Sequence, residues 1–347
     1  MGARLTRIIV LAACFAGVLA LDCAAGKKSL PARPPPPAII TPEIFRFRIG
    51  FWANLHQVLI HESLLPKPGF EGPKSLAHHS VAPMANLAAP DTAPWREALA
   101  YYGRRFTTRN TFTDEFMDAV RGFTACGNDP ALHTSLGLAA DWKTLLGNAA
   151  PVYRTNFWPA HERADRAYVE AIRSWVAKHG AWFVKRLVAL YETPWPSAPV
   201  DVEVAPVVPP FGASTIGEPP FQGSHAPLII VSSEDSGYTG ESGLEMIFHE
   251  GSHLLVDRVQ GLFDASAKRQ GRSMPRGLWH FVLFYTAGHV ARERLGPSYV
   301  PYAERPEHHI FDGAAAGTLR VLVRAWQPYL DGRATLDSAV DAVVAGF

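Results

Sequence analysis

The chain has 347 residues, enough for one large domain or two smaller ones. Hydrophobic residues make up 48% of the sequence and charged residues 19%, as in ordinary globular proteins. The formal net charge is +1, so electrostatics gives no reason to expect nucleic acid or an anionic membrane surface as a partner.

The N-terminus has the pattern of a signal peptide over residues 1–25. Two arginines precede an apolar run from Ile8 to Leu21, and small residues allow cleavage after Ala20 or Ala25. Residues 11–14 resemble a bacterial lipobox, which makes a lipid anchor on Cys14 an alternative. The run is short for an uncleaved membrane span. The sequence therefore predicts export to the periplasm, the cell envelope or the medium.

Residues 26–40 are rich in proline and predict a stiff, extended linker without a core of its own. We expect a helical N-terminal region over 41–195 and a metal-binding region over 196–347, together forming one compact unit. The mature chain keeps a single cysteine, Cys126, so no intramolecular disulfide is expected.

Helical periodicity dominates the first half of the folded chain. The predicted helices are Thr41–Leu64, Pro94–Tyr102, Thr113–Arg121, Leu132–Leu146 and Ala160–Tyr191, the last with a break at Gly180. For the polar residues Asn54, His56 and His61 two interpretations stay open. They are either solvated positions of a packing helix, or Asn54 or His56 lines a cleft.

The character of the sequence changes after residue 195. Strands are predicted at Val200–Val204, Gly212–Ile216 and Leu228–Ser232, the first of them half-buried because apolar and polar residues alternate. Further helices are predicted at Ser242–Val259, Gly277–Leu295, Gly313–Trp326 and Thr335–Val344, with a polar loop from Gly261 to Gly277. This order predicts a mainly helical α+β fold with a small sheet next to the helix that begins at Ser242.

That helix contains His249-Glu250-Gly251-Ser252-His253, an H-E-x-x-H pattern in an apolar run. Helix residues four apart lie on one face, so His249 and His253 can direct two imidazoles at one metal ion. Zinc accepts neutral imidazole and keeps an open position in catalytic sites, where Glu250 would act as general base. A buried helix rarely carries two histidines and a glutamate unless they are paired or bind something.

The stretch from about Pro227 to Leu295 resembles the active-site region of the zincin superfamily of zinc metallopeptidases. Val256 and Val259 stand where the metzincin branch has its glycine and third histidine. The gluzincin-like branch, whose third ligand lies on a later helix, is the better match. The resemblance implies a substrate-binding strand along the cleft. Leu228 to Ser233 resembles it in position, with a plain core strand as the alternative.

A catalytic zinc usually has a third protein ligand. On the helix Gly277–Leu295 we favour His280, because it shares a face with the small residues Ala287, Gly288 and Ala291. Glu293, the usual third ligand of gluzincins, and His289 lie on the opposite face and are the alternatives. Asp257 and Asp264 are more remote candidates.

Other side chains have possible supporting roles. Glu245 lies four residues before His249 and could bond a ligand or the substrate, and Asp257 could orient His253. Zincin peptidases often stabilise the oxyanion with a Tyr or His. The tyrosines available here are Tyr285, Tyr299 and Tyr302.

These patterns predict an exported zinc metallopeptidase that cleaves a peptide or protein with a Glu-activated water. His249, His253 and His280 are the expected Zn²⁺ ligands, and Glu250 is the catalytic residue. The alternative is a zincin-fold scaffold of the cell envelope that has no turnover. A structural metal site fits less well, because such sites are closed by four protein ligands.

Overall fold

We describe a computed structural model of the chain, which covers residues 43–64, 92–106, 114–128, 138–209, 211–216, 227–313 and 315–347. The expected signal peptide, Cys14 and the proline-rich linker lie outside these ranges. The described residues belong to one compact unit, and they are mainly helical with one small sheet, as the α+β prediction required.

The helices are numbered in chain order. They are α1 (Phe51–Leu64), α2 (Ala93–Phe106), α3 (Asp114–Cys126), α4 (Ala140–Asn156), α5 (Trp158–Tyr191), α6 (Gly240–Ser252), α7 (Asp257–Gln270), α8 (Leu278–Leu295), α9 (Ala315–Val321), α10 (Gln327–Leu330) and α11 (Leu336–Ala345). A π-helical turn at Leu322–Trp326 joins α9 to α10.

The sheet has four strands in the order β1-β2-β4-β3, where β1 is Phe45–Arg48, β2 Val200–Ala205, β3 Ala213–Ile216 and β4 Leu228–Ser232. Strands β1, β2 and β4 are parallel, and β3 is antiparallel to β4. Side chains on one face join the core that contains α5 to α8, and those on the other face join the core of α1 to α4. The sheet is therefore covered by helices on both faces, and its strands are buried on both sides.

The predicted helix at Thr41–Leu64 is wrong in its first part, because Phe45–Arg48 forms strand β1 and the helix begins at Phe51. Phenylalanine and arginine alternate along β1 with the period of a strand. Arg46 and Arg48 both pair with Asp201 on the neighbouring strand. The edge position lets the arginines reach solvent while Phe45 is buried.

The predicted break at Gly180 is absent, and α5 runs unbroken for 34 residues. A Cβ atom on Gly180 would lie 2.7 Å from Cδ1 of Ile44 and 3.5 Å from Cζ of Phe248. The glycine therefore permits a close approach between α5 and α6 and does not end the helix.

The predicted helix Ser242–Val259 is divided in the structure. Helix α6 ends at Ser252, and α7 begins at Asp257. Ser252 Oγ donates to the carbonyl oxygen of Phe248, an i−4 bond that competes with the backbone ladder and bends helices. The turn that follows buries Leu254 and the two residues after it.

The loop predicted from Gly261 to Gly277 is helical as far as Gln270, the end of α7. Its many polar residues lie on the solvent side of an amphipathic helix, while Val259 and Phe263 face the core. Gly271, with φ of 63°, ends the helix.

Neither interpretation of the α1 histidines holds, because His56 and His61 are at most 1% exposed. His56 Nδ1 lies 2.8 Å from the hydroxyl of Tyr102, in the core of α1 to α4. Burial lowers the pKa of His56 to about 3 and that of His61 to about 4, so both are neutral at physiological pH. Asn54 Nδ2 donates to the carbonyl oxygen of Val204 and so ties α1 to β2.

Strand β2 was expected to be half-buried, yet Glu203 is fully buried. Its Oε1 accepts a 2.6 Å hydrogen bond from the backbone N–H of Gly50, just before α1. Burial raises the pKa of Glu203 from 4.5 to about 8, against the opposing effect of that hydrogen bond.

This raised pKa predicts a pH dependence of stability. Glu203 keeps its proton in the folded state up to about pH 8 but loses it near pH 4.5 when unfolded. Its contribution to the free energy of unfolding is therefore complete below pH 4.5 and is lost as the pH rises towards 8. Glu203→Gln keeps an acceptor for Gly50 but cannot ionise. Urea unfolding should show the variant gaining on the wild type by a few kcal/mol, at most about 5, over this pH interval. A stability difference that does not change with pH would contradict the assignment.

Candidate metal centre

Two of the three candidate ligands come from α6 and the turn after it. His249 is in the last turn of the helix, and His253 is its C-cap residue in right-handed helical conformation. Helical spacing therefore persists from one histidine to the other even though α6 ends between them. His249 is 1% exposed, Glu250 5% and His253 7%, so the whole motif is buried.

The third histidine, His280, is brought in by α8, which packs closely on α6. A Cβ atom on Gly288 would lie 2.6 Å from Pro301 and 3.4 Å from Oε1 of Glu245, a residue of α6. Ala287 and Ala291 are buried on this side as well. The small residues therefore face α6, as the helical pattern predicted, and His280 lies on the same side.

The three imidazoles form a nearly equilateral triangle. Their ring centres are 5.3 Å apart for His249 and His253, 5.3 Å for His249 and His280, and 5.1 Å for His253 and His280. One ring nitrogen of each lies within 4.8 Å of the other two. With zinc–nitrogen bonds of about 2.05 Å at tetrahedral angles, three bound imidazoles have ring centres about 5.2 Å apart. The ring centres are therefore spaced as around one shared metal ion, while nitrogens bound to a single zinc would lie about 3.3 Å apart, within the 4.8 Å found for the ring nitrogens here.

The protonation state of the rings fits as well. Burial, followed by the neighbouring histidines, holds the pKa of His249 well below its usual value. Burial and His253 lower the pKa of His280 to about 3. Neutral imidazole is the form that binds metal ions. Nδ1 of His249 is buried and has no hydrogen-bond partner among the described residues. A bond to a metal ion would satisfy this nitrogen where Nδ1 is the ligand atom.

The alternative third ligands lie elsewhere. Glu293 pairs with Arg186 at 2.8 Å on the far side of α8, and His289 lies 3.9 Å from Glu293. Asp264 is exposed on α7, and Asp257 begins that helix. Within the described ranges, His249, His253 and His280 are the one group of three or more His, Cys, Asp or Glu residues whose ligand atoms come this close.

Glu250 is held by a residue that the sequence did not single out. Thr215 Oγ1 lies 2.6 Å from Oε2 of Glu250 and 2.9 Å from the carbonyl oxygen of the same residue. Thr215 belongs to β3, the edge strand next to β4, and is itself buried. An isolated threonine in a short strand carries no signal of this contact, because the contact depends on how the sheet packs against α6.

Of the two interpretations of Leu228–Ser233, the plain core strand holds and the substrate-binding strand along the cleft is wrong. Leu228–Ser232 forms β4, whose two edges are both occupied, one by β2 and one by β3. Strand β3 stands at the end of the sheet order among the described strands, and it touches Glu250.

Within the described part of the chain, Glu245 forms no hydrogen bond to His249, His253 or His280. It instead fixes the loop after α8. Its carboxylate accepts a 2.6 Å bond from the Tyr299 hydroxyl and a 2.9 Å bond from the backbone N–H of Tyr302. Burial raises the pKa of Glu245 to about 7, while these two hydrogen bonds act in the opposite direction. The loop is therefore anchored to α6 four residues before His249.

That anchor sets the surroundings of Tyr302. Its ring is parallel to Phe284 at 6.1 Å, and Phe284 in turn stacks on His249 at 4.1 Å. On its other side Tyr302 stacks on His308 at 3.7 Å, a contact that the sequence did not suggest. Of the three candidate tyrosines, Tyr299 is bound to Glu245 and Tyr285 donates to Gln327. This leaves Tyr302, whose ring reaches the His249 imidazole only through Phe284.

The glycine inside the motif is tightly confined, which gives a second prediction. A Cβ atom on Gly251 would lie 2.5 Å from the ring of Trp195, itself 7% exposed. Gly251→Ala should lower the free energy of unfolding by about 1–3 kcal/mol, because the indole must shift in a packed core. Urea unfolding followed by tryptophan fluorescence measures the loss of stability, and the fluorescence of the folded protein reports the shift of the Trp195 indole.

Gly261→Ala is the matched control. Gly261 is an exposed position within α7 where an added Cβ meets nothing within 4 Å. There alanine should stabilise the protein by about 0.8 kcal/mol through helix propensity. If both variants were stabilised alike, the close contact between Gly251 and Trp195 would be refuted.

Comparisons with known proteins add no relative: no family model, curated protein or solved structure matches this chain. Among the helices described, none combines the length and apolarity needed to cross a membrane.

Proposed function

We propose that this protein is an exported zinc-dependent peptidase of zincin type. The observation that carries the proposal is the triangle of His249, His253 and His280, at the spacing of three zinc-bound imidazoles, with Glu250 beside it. When bound, zinc supplies a Lewis acid that lowers the pKa of a coordinated water and polarises a carbonyl.

The residues of the chain then have separate roles. His249, His253 and His280 would hold the ion through one ring nitrogen each. Glu250 accepts the proton of the attacking water and passes it to the leaving amine, as a general base and then a general acid. Thr215 donates to Oε2 of Glu250 and fixes the direction of that carboxylate.

Tyr302 is the best candidate for steadying the oxyanion that develops on the substrate. Burial, followed by the carboxylate of Asp235, raises the pKa of Tyr302, so its phenol keeps the proton it would donate. Glu245 acts through Tyr302, because it holds the backbone N–H of that residue.

Strand β3 is the proposed binding edge for the main chain of a peptide. It stands at the end of the described sheet and carries Thr215, so a peptide added as a further strand would lie next to Glu250. Among the three ligands only His280 is partly exposed, which marks the open side of the centre.

A catalytic centre is favoured over a closed structural one. Structural zinc sites usually have four protein ligands, and the described part of the chain offers three. A histidine as third ligand differs from the glutamate usual in gluzincins, so the proposal extends to the zincin type and not to that branch.

The ligand assignment is tested by metal content. After expression in zinc-replete medium, the mature wild-type chain should hold about one equivalent of zinc by atomic emission. His249→Ala, His253→Ala and His280→Ala should each weaken zinc binding by more than about 100-fold, since affinity comes from the three ligands together.

The matched controls are His289→Ala and Glu293→Ala, on the opposite side of the same helix. Both should keep the full zinc content. Zinc loss in Glu293→Ala together with retention in His280→Ala would overturn the assignment in favour of the usual gluzincin ligand.

Turnover is tested with a variant that removes the general base and leaves the zinc ligands in place. Glu250→Gln keeps the shape of the side chain and the metal but removes the base, so cleavage should fall by about 10²-fold to 10⁴-fold at unchanged zinc content. The assay is mass spectrometry of new termini in a mixed peptide library, with wild type and variant side by side. A zinc-loaded wild type that produces no termini beyond those of the variant would support the scaffold instead.

A further inference from the structure

A cavity outside the candidate metal centre is lined in part by helix α8. Helix α8 contributes Phe281, the residue after His280, to the wall of this cavity, which has a volume of about 880 Å³ and is open to solvent. Cavities of about 300–1,000 Å³ are of the size that binds small molecules in proteins. The proposed peptidase reaction does not use this cavity.

Three arginines line the cavity, namely Arg276 before α8, Arg320 in α9 and Arg324 in the π-helical turn. Among the lining side chains the one carboxylate is that of Asp312, which lies 2.6 Å from Nδ1 of His309. Arg276, Arg320 and Arg324 form no ion pair with any residue that the structure describes.

Some exposed arginines of this region are neutralised within the chain, although Arg272 is exposed and forms no ion pair with a described residue. Arg269 pairs with Asp341 and Arg292 with Glu304, while Arg333 is 2.6 Å from Asp331. The cavity therefore brings together three arginines that have no ion-pair partner among the described residues. Guanidinium groups bind carboxylate and phosphate through paired N–H donors, which makes this an anion-selective lining.

The backbone at this place is unusual too. Arg320 and Arg324 are four residues apart, a spacing at which like charges on a helix repel by a few tenths of a kcal/mol. Between them the helix changes to a π-helical turn, a rare feature that often occurs at functional sites. The like charges and the π-helical turn are two independent observations at the same wall.

The remaining lining is largely apolar and includes Phe281, Val321 and Phe347. Walls of this kind bury the hydrocarbon or aromatic surface of a bound ligand. We propose that the cavity binds an amphiphilic anion, that is, a carboxylate or phosphate group carried on an apolar body. The anionic oxygens contact Arg276, Arg320 and Arg324, and the apolar body lies against the phenylalanine rings.

Calorimetric titration of the full mature protein tests this site without any need for turnover. The probes are decanoate and decyl phosphate, each below its micelle concentration, with inorganic phosphate and decyltrimethylammonium for comparison. At least one of the two amphiphilic anions should bind with one-to-one stoichiometry, at least tenfold more tightly than inorganic phosphate. The cationic amphiphile should not bind. The tighter of the two anions identifies the carboxylate or the phosphate as the natural head group.

The variants locate the binding. The triple variant Arg276→Gln, Arg320→Gln, Arg324→Gln should weaken binding at least tenfold, and Arg324→Gln alone should weaken it less. Arg272→Gln is the matched control, because Arg272 is exposed, lies near α8 and does not line the cavity. A carboxylate that coordinated zinc would be insensitive to all of these substitutions. Unchanged affinity in the triple variant, equal binding of the cationic amphiphile, or no binding of either anion would each overturn the proposal.

Discussion

The close approach of α8 to α6 is the constraint on which the candidate centre depends. The H-E-x-x-H segment supplies two imidazoles, and the third arrives only because α8 presents small residues to α6. At Gly288 a side chain would collide with Pro301, 2.6 Å from the added Cβ, and would press on Glu245. The same contact that brings His280 to the site thus also seats the loop that carries Tyr302. A larger residue at this one position would disturb both.

The sheet provides the second half of the arrangement. Because helices cover both of its faces, α6 is enclosed between the sheet, α5 and α8 and is buried from Ser242 to Ser252. Burial lowers the pKa of His249 and of His280, which favours metal binding, and it would penalise an unpartnered carboxylate. The hydrogen bond that Thr215 donates to Glu250 at the edge of the sheet reduces that penalty. Strand β3 therefore contributes to the site as well as to the core.

Much of this arrangement could be predicted from local patterns. The helix α8 and the strands β2 to β4 match predicted elements, of which β2 follows from the alternation of apolar and polar residues and α8 from its length of apolar sequence. The choice of His280 follows from its position among small residues on one helical face. The errors have physical causes. Phe45–Arg48 alternates too briefly to stand out from the helix after it, and it becomes a strand because β2 is available as a partner. The end of α6 at Ser252 depends on a side-chain bond to Phe248, which has no sequence signature.

Contacts across the fold were beyond prediction for a different reason. The partner of Glu250 is 35 residues away in the sequence, and those of Glu245 are 54 and 57 residues away. Hydropathy and spacing describe which face of an element is buried, but not which element covers it. The α1 histidines illustrate this limit, since a polar residue in an apolar helix was expected to reach water. His56 instead meets Tyr102 in the interior.

Three buried glutamates differ in the groups that hold their carboxylates. Glu203 and Glu245 both accept hydrogen bonds from backbone N–H groups, of Gly50 and Tyr302 respectively, and so connect chain segments. Backbone donors are fixed in direction and cannot follow a change in charge. Glu250 is met by the hydroxyl of Thr215, whose proton can turn between the carboxylate and the carbonyl oxygen of the same residue. Glu245 also accepts from a hydroxyl, that of Tyr299, but it is bonded to the backbone N–H of Tyr302 as well. A hydroxyl donor can adjust as a carboxyl gains and loses a proton, which the proposed role of Glu250 as general base would require.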